Sequence, residues 1–274
     1  MTSFSNITVC YFSPTGGTAQ VACHLAEALG QRLHLDVVHR PYTLLAQREK
    51  PPVVDCRALL VWATPVYAGR IPNKTLGYVK SALQGKPNTA IALVAYGNRD
   101  YDHALAELLG LMKEGGCRPI AAAAVVTRHA MSTTLAAGRP DATDVEALNG
   151  FADRIAEKLR LAHPPLVTAR GDEHPGRYYT PLRTDHAPAN FLKVKPQCDL
   201  VRCTRCGACL AVCPMDSIRS VAERPVFDGI CIKCHACVRK CTHHAKYFDD
   251  PAFLSHVAML EANFQEPKKN EMFL

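Results

Sequence analysis

Eight cysteines of this 274-residue chain fall into two copies of one spacing. The first reads Cys203-x2-Cys206-x2-Cys209-x3-Cys213-Pro214, and the second Cys231-x2-Cys234-x2-Cys237-x3-Cys241. Three thiolates separated by two residues can wrap one face of a compact cuboidal cluster. In this pattern the fourth cysteine of each run ligates the other cluster. The expected ligand sets of two [4Fe–4S] clusters are therefore Cys203, Cys206, Cys209 and Cys241, and Cys231, Cys234, Cys237 and Cys213. Paired C-x2-C also builds zinc sites, so a zinc-binding interaction module is the bland alternative; zinc sites rarely need three such cysteines and a fourth, twice over. Cys198 lies outside the repeat and reads as a structural or free thiol. Cys10, Cys23, Cys56 and Cys117 sit in or beside apolar stretches and read as core residues. His235, His243 and His244 neighbour the ligands and read as surface histidines.

A second group of residues could bind an anion. Ser13-Pro14-Thr15-Gly16-Gly17-Thr18 follows the apolar run Ile7–Phe12 and opens a segment with Val21, Leu25, Ala28 and Leu29 at helical period. Such a turn offers backbone N–H groups and the positive end of a helix dipole. It has no lysine, so it is not a nucleotide-triphosphate loop, and the dinucleotide pattern G-x-G-x-x-G is absent. A terminal phosphate monoester held by neutral donors fits; an ordinary capped helix start is the alternative. Two more loops follow apolar runs: Thr64-Pro65-Val66-Tyr67-Ala68-Gly69, and Tyr96-Gly97-Asn98-Arg99-Asp100-Tyr101. Their tyrosines could flank a flat ring, and their glycines let a backbone carbonyl approach it.

The elements that would position these loops are legible as alternation. Strands are expected at Ile7–Phe12, His34–Val38, Ala58–Trp62, Ala90–Ala95 and Ile120–Thr127. Helices are expected after Thr18 and over Asn73–Leu83, Tyr101–Glu114 and Asp144–Leu161. This rhythm predicts an α/β, doubly wound, five-stranded parallel sheet of order 2-1-3-4-5, whose ligands bind at the carboxyl ends of strands 1, 3 and 4. Trp62 falls within a strand and reads as core. His103 and His129 lie near the ligand edge and read as loop residues. Residues 163–197, with Pro164, Pro165, Pro175, Pro181 and Pro188, read as a linker or irregular wrap. Residues 198–248 form a small cysteine-rich α+β domain too poor in aliphatics to hold itself by burial. Residues 249–274 hold a helix, Pro251–Asn263, and a polar tail.

The first part, residues 1–162, resembles flavodoxin, which binds FMN with three such loops. By that resemblance Ser13 to Thr18 take the phosphate, and Thr64 to Gly69 and Tyr96 to Tyr101 bracket the isoalloxazine. Residues 198–248 resemble a bacterial-type two-cluster ferredoxin. One departure is that Cys241 is followed by Thr242 rather than the family's proline. The whole is similar to the flavodoxin–ferredoxin fusions of anaerobic bacteria and archaea. The resemblance implies two [4Fe–4S] clusters, FMN, and electron transfer with redox partner proteins. An FMN-dependent reductase of a small substrate, fed by the clusters or by NAD(P)H, is the alternative. No catalytic acid–base pair or nucleophile stands out.

Composition agrees with that reading. The chain is 48% hydrophobic and 21% charged, which are globular proportions. No apolar run approaches the ~18 residues of a membrane span, and the first residues lack a signal-peptide pattern, so a cytoplasmic protein is expected. The formal charge of +7 would hint at nucleic acid. Two thiolate-ligated clusters at about −2 each and a phosphate near −2 leave only about +1, and nucleic acid drops out as a partner.

Overall fold

A computed structural model describes residues 4–274. Strands and helices alternate as β1 (Ile7–Tyr11), α1 (Gly17–Leu33), β2 (Val37–Pro41), β3 (Leu59–Pro65), α2 (Asn73–Leu83), β4 (Thr89–Tyr96), α3 (Ala104–Glu114), β5 (Arg118–Val126) and α4 (Ala142–Lys158). The five strands pair in parallel in the order β2-β1-β3-β4-β5. This is the flavodoxin-like doubly wound sheet. Because side chains alternate along a strand, β3 feeds two cores: Leu59, Val61 and Ala63 pack with α1 and α4, whereas Leu60 and Trp62 pack with α2 and α3. Trp62 is fully buried, as expected, and donates its indole N–H to the Tyr42 hydroxyl at 3.0 Å.

Several bounds shift by one to three residues, such as α3 at Ala104 rather than Tyr101 and α4 at Ala142–Lys158 rather than Asp144–Leu161, and two differences have a clear cause. The second strand starts at Val37 rather than His34, because His34 takes a left-handed conformation (φ 55°) that closes α1. The sheet also has a sixth strand. The tail supplies β10 (Glu271–Phe273), antiparallel against β5, which covers an open edge. Three residues in a polar tail carry no periodic signal.

Between these lie the short elements of the cysteine-rich region: β6 (Gln197–Cys198), α5 (Ala208–Ala211), β7 (Ile218–Val221), β8 (Arg224–Phe227), α6 (Ala236–Lys240) and β9 (Lys246–Tyr247), followed by α7 (Pro251–Asn263). β6 pairs with β9, and β7 with β8, both antiparallel. The local core is small: Phe248 and Phe253 with Ala189 and Phe191 from the preceding segment. Among the described residues no helix is long and apolar enough to cross a membrane.

Residues 163–197 lie on the protein rather than swinging between its parts. Val167 is buried and bonds the Pro119 carbonyl. A strap around Tyr178 and Tyr179 is tied down: the Tyr178 hydroxyl donates to Ile71 O at 2.8 Å, and the Tyr179 N–H to Ala68 O at 2.9 Å. Arg70 donates to Gly176 O at 2.6 Å and lies 4.5 Å over the Tyr178 ring. Arg70 is held in turn by a buried ion pair with Glu107, whose carboxylate also accepts the Ile71 N–H at 3.0 Å. Removing one partner of a buried pair strands the other charge. Glu107→Ala is expected to destabilise the sheet domain by about 3–5 kcal/mol, measured by urea unfolding, and to increase proteolysis near Gly176.

Candidate functional site

The loops that follow β1, β3 and β4 converge on one cavity of about 560 Å³, a size suited to a small-molecule ligand. Ser13, Pro14, Thr15, Gly17 and Thr18 line one end. Pro65, Val66, Tyr67, Ala68 and Gly69 form one wall, and Tyr96, Gly97 and Arg99 another. Gly16 caps α1 in a left-handed conformation (φ 94°) that a side chain would strain. The Ser13 hydroxyl oxygen accepts the Ala19 N–H at 2.9 Å. The N–H groups of Gly17 and Thr18 find no protein acceptor among the described residues. Open N–H groups at the positive end of a 17-residue helix fit a phosphate monoester.

Four expected contacts do not line the cavity. Gly16 shapes the turn from behind. Thr64 is fully buried, and its hydroxyl turns to the Pro65 carbonyl. Asn98 holds the tail instead, donating to Phe264 O and Glu266 O and accepting the Lys268 N–H at 2.9 Å. Tyr101 is buried edge-on to Tyr96, with its hydroxyl 2.7 Å from the Glu271 carboxylate. The tail that makes β10 thus takes two side chains that the sequence reading gave to a ligand. Arg99 does face the cavity, paired with Asp102 and lying 4.2 Å over the Tyr179 ring.

Other walls come from outside the three loops, and among them are Tyr178 and Tyr179, which the reductase alternative places at a substrate pocket. These walls are Thr127–Met131 after β5, the strap residues Tyr178 and Tyr179, Phe191, the run Ile230–Lys233, and His256 and Leu260 of α7. Lys74 and Arg128 also line the cavity and add positive charge to it. His129 is on a loop, as expected, but its ring faces the cavity. Burial, together with the positive charge of His256, Arg239 and Arg99, pushes its pKa down to about 4. The signal available in the sequence was position alone, since residues just past a parallel strand stand at the ligand edge. His103 stays off the cavity, accepting the Asp172 N–H on Nδ1 at 3.1 Å.

The repeat cysteines gather around two hollows. Cys203, Cys206, Cys209 and Cys241 line one, with Cys198 beside them. Cys213, Cys231, Cys234 and Cys237 line the other. Among the described residues no three side chains converge on a single metal ion. Thiols arranged around a hollow suit a cubane, in which each sulfur meets its own iron. Backbone N–H groups point at the sulfurs: Ser217 at Cys213, Lys233 at Cys231, and Ala245 at Cys241, at 3.2–3.4 Å. The two hollows differ in exposure. Cys206 is at the surface, and the Ala208 N–H lowers its pKa. Cys234 and Cys237 are buried, which raises both thiols, Cys237 to about 12. Cationic iron supplies the charge that deprotonates such groups.

The second hollow abuts the cavity, and Cys231 lines both. Tyr67 stands between them, its hydroxyl pKa raised by burial and by nearby Cys234 and Cys231. His243 and His244 are exposed, but His235 is not the surface residue expected. It is buried, stacked on Phe248 at 4.7 Å, with Nε2 unpartnered. An orphaned imidazole nitrogen beside four thiols fits a hollow meant for a polar group. Cys10 and Cys117 are buried as expected. Cys56 is exposed in the turn before β3, and Cys23 of α1 is half-buried with Sγ 3.4 Å from His39 Nδ1.

Residues 199–219 match the family of 4Fe-4S binding domains. The chain thus joins a sheet of flavodoxin-like strand order to a segment that matches 4Fe-4S binding domains. Similar solved structures include a flavodoxin from the Archaea, 18% identical over 57% of this chain and 99% of that one, TM-score 0.38. Flavodoxin 2 of Bacillus cereus is 17% identical over 56% and 99%, TM-score 0.38. An apo NADH:FMN oxidoreductase is 18% identical over 64% and 97%, TM-score 0.41. No curated protein sequence matches the chain. The fold itself rests on the strand order described above.

The close approach of His129 to the loop after β4 gives a test. A Cβ at Gly97 would clash with His129 Cδ2 and lie 2.8 Å from its Cα. Gly97→Ala is expected to lower stability by about 1–3 kcal/mol in thermal unfolding. Gly77→Ala, in α2 with open space around it, is expected to raise it by about 0.4–1 kcal/mol.

Proposed function

We propose that this chain is an electron-transfer protein in which two [4Fe–4S] clusters exchange low-potential electrons with an FMN held in the 560 Å³ cavity. The observation that carries the reading is Cys231, which lines both the second cluster hollow and that cavity. FMN, when bound, supplies a carrier for one or two electrons, whereas a cluster passes one at a time. The chain's residues define a direction. Cys206 is exposed, within reach of a partner protein; Cys234 and Cys237 are buried in the hollow that abuts the cavity. The first cluster is therefore the port and the second the internal relay. Ser13 to Thr18, with the start of α1, hold the phosphate. Pro65 to Gly69 and Gly97 with Arg99 bracket the ring.

The strap favours a second reading, an FMN-dependent reductase of a small substrate. Tyr178, Tyr179 and Phe191 wall the cavity, and a wall of this kind admits a small molecule more readily than a protein surface.

Anaerobic purification with iron, sulfide, zinc and flavin analysis tests the proposal. Two clusters' worth of iron and one FMN per chain are expected; zinc without iron or flavin overturns it. Cys234→Ala is expected to keep the flavin but to abolish its reduction by a donor that still reduces the first cluster, followed by flavin absorbance. Rapid turnover of one small molecule with NAD(P)H and no protein partner selects the reductase reading.

A further inference from the structure

His129 faces the flavin cavity, and the relay just described gives it no task. Its backbone is fixed by a hydrogen bond from its N–H to Leu135 O at 3.2 Å. It is also clamped from the cluster region. Arg239 of α6 donates to the carbonyls of His129, Ala130 and Ser132, the last two at 2.9 and 3.0 Å. The Met131 N–H donates to His129 Nδ1 at 3.2 Å. An imidazole nitrogen that accepts a hydrogen bond carries no proton, so the neutral ring bears its hydrogen on Nε2. Nε2 is bonded to Cδ2, the atom pressed against Gly97. The N–H therefore stands at the loop that borders the proposed ring site, and it has no protein acceptor among the described residues.

We propose that His129 donates a hydrogen bond from Nε2 to the bound flavin, with Arg239 as the residue that positions it. The proposal rests on the FMN reading. A flavin that takes up electrons gains negative charge on its ring, and a pre-oriented donor aimed there binds the reduced form more tightly than the oxidised form. The bond thereby raises the flavin's reduction potential. The low pKa of His129 is consistent with a neutral donor at physiological pH, one that holds its proton rather than passing it on.

The experiment uses the full chain, purified anaerobically with its cofactors. His129→Leu removes the donor, and His129→Gln keeps an N–H. In His129→Leu the more negative of the flavin's two one-electron potentials is expected to fall. Each tenfold loss of affinity for the reduced relative to the oxidised form appears as about 59 mV. His129→Gln should stay near the parent, Arg239→Ala should shift in the same direction as His129→Leu, and cluster potentials should not move in either His129 variant. Nitrogen NMR of the parent should show Nε2 protonated. Flavin-loaded His129→Leu with parental potentials overturns the proposal, as does a proton on Nδ1. If His129→Leu loses flavin, retention by His129→Gln supports the donor role and equal loss overturns it. A parent that binds no flavin is a different failure, that of the FMN reading, and is evident before any substitution is made.

Discussion

The cysteine-rich region has almost no core of its own: Ile218 and Phe248 are its large buried apolar side chains, Phe253 comes from α7, and its two β-ladders are each two strands wide. Apolar burial on that scale does not hold some fifty residues together. Two other sources of order must act. One is the set of metal–thiolate bonds, which turn binding energy into folding energy. The other is the rest of the chain. Arg239 fastens α6 to the loop after β5, Arg48 reaches from beyond β2 to the Pro214 carbonyl and Met215, and Phe191 of the strap completes the aromatic core. The domain is built against its neighbour, and closeness between the second thiol group and the cavity follows from that need.

The cavity has a different origin. A doubly wound sheet leaves a crevice wherever connections from adjacent strands depart to opposite faces, and here β1 and β3 send α1 and α2 to different sides. The crevice is generic; its chemistry is local. Gly16 and Gly17 bare the amides of α1, and Gly97 lets His129 come close. The strap, α7 and the run Ile230–Lys233 then cover a site that the sheet alone would leave open.

How much of this could be read from residues varied with the kind of signal. Strands buried on both faces, such as Leu59–Ala63, announce themselves by unbroken apolar runs, and the cysteine repeat by its spacing. The x2 intervals bring three thiols of each run to one hollow, and the fourth comes from the other run, Cys241 to the first and Cys213 to the second. Tertiary competition could not be read. Tyr101 and Asn98 look like ring contacts because they follow a strand at the ligand edge, yet Glu271 and the backbone at 264–268, some 170 residues away, claim both. His235 looks like a surface residue because a cysteine-rich stretch offers it no apolar periodicity, yet Phe248 and Phe253 stack on it. Such partners belong to other elements, and no local periodicity encodes them.

The tail strand also orders events in time. During synthesis the five parallel strands and their helices leave the ribosome first and can pair while the remainder is still being made. The loop after β4 is not held in its final shape until residues 264–271 have emerged and Asn98 and Tyr101 have found them. A site that needs that loop in its final shape is thereby completed only once the second half of the chain has been translated.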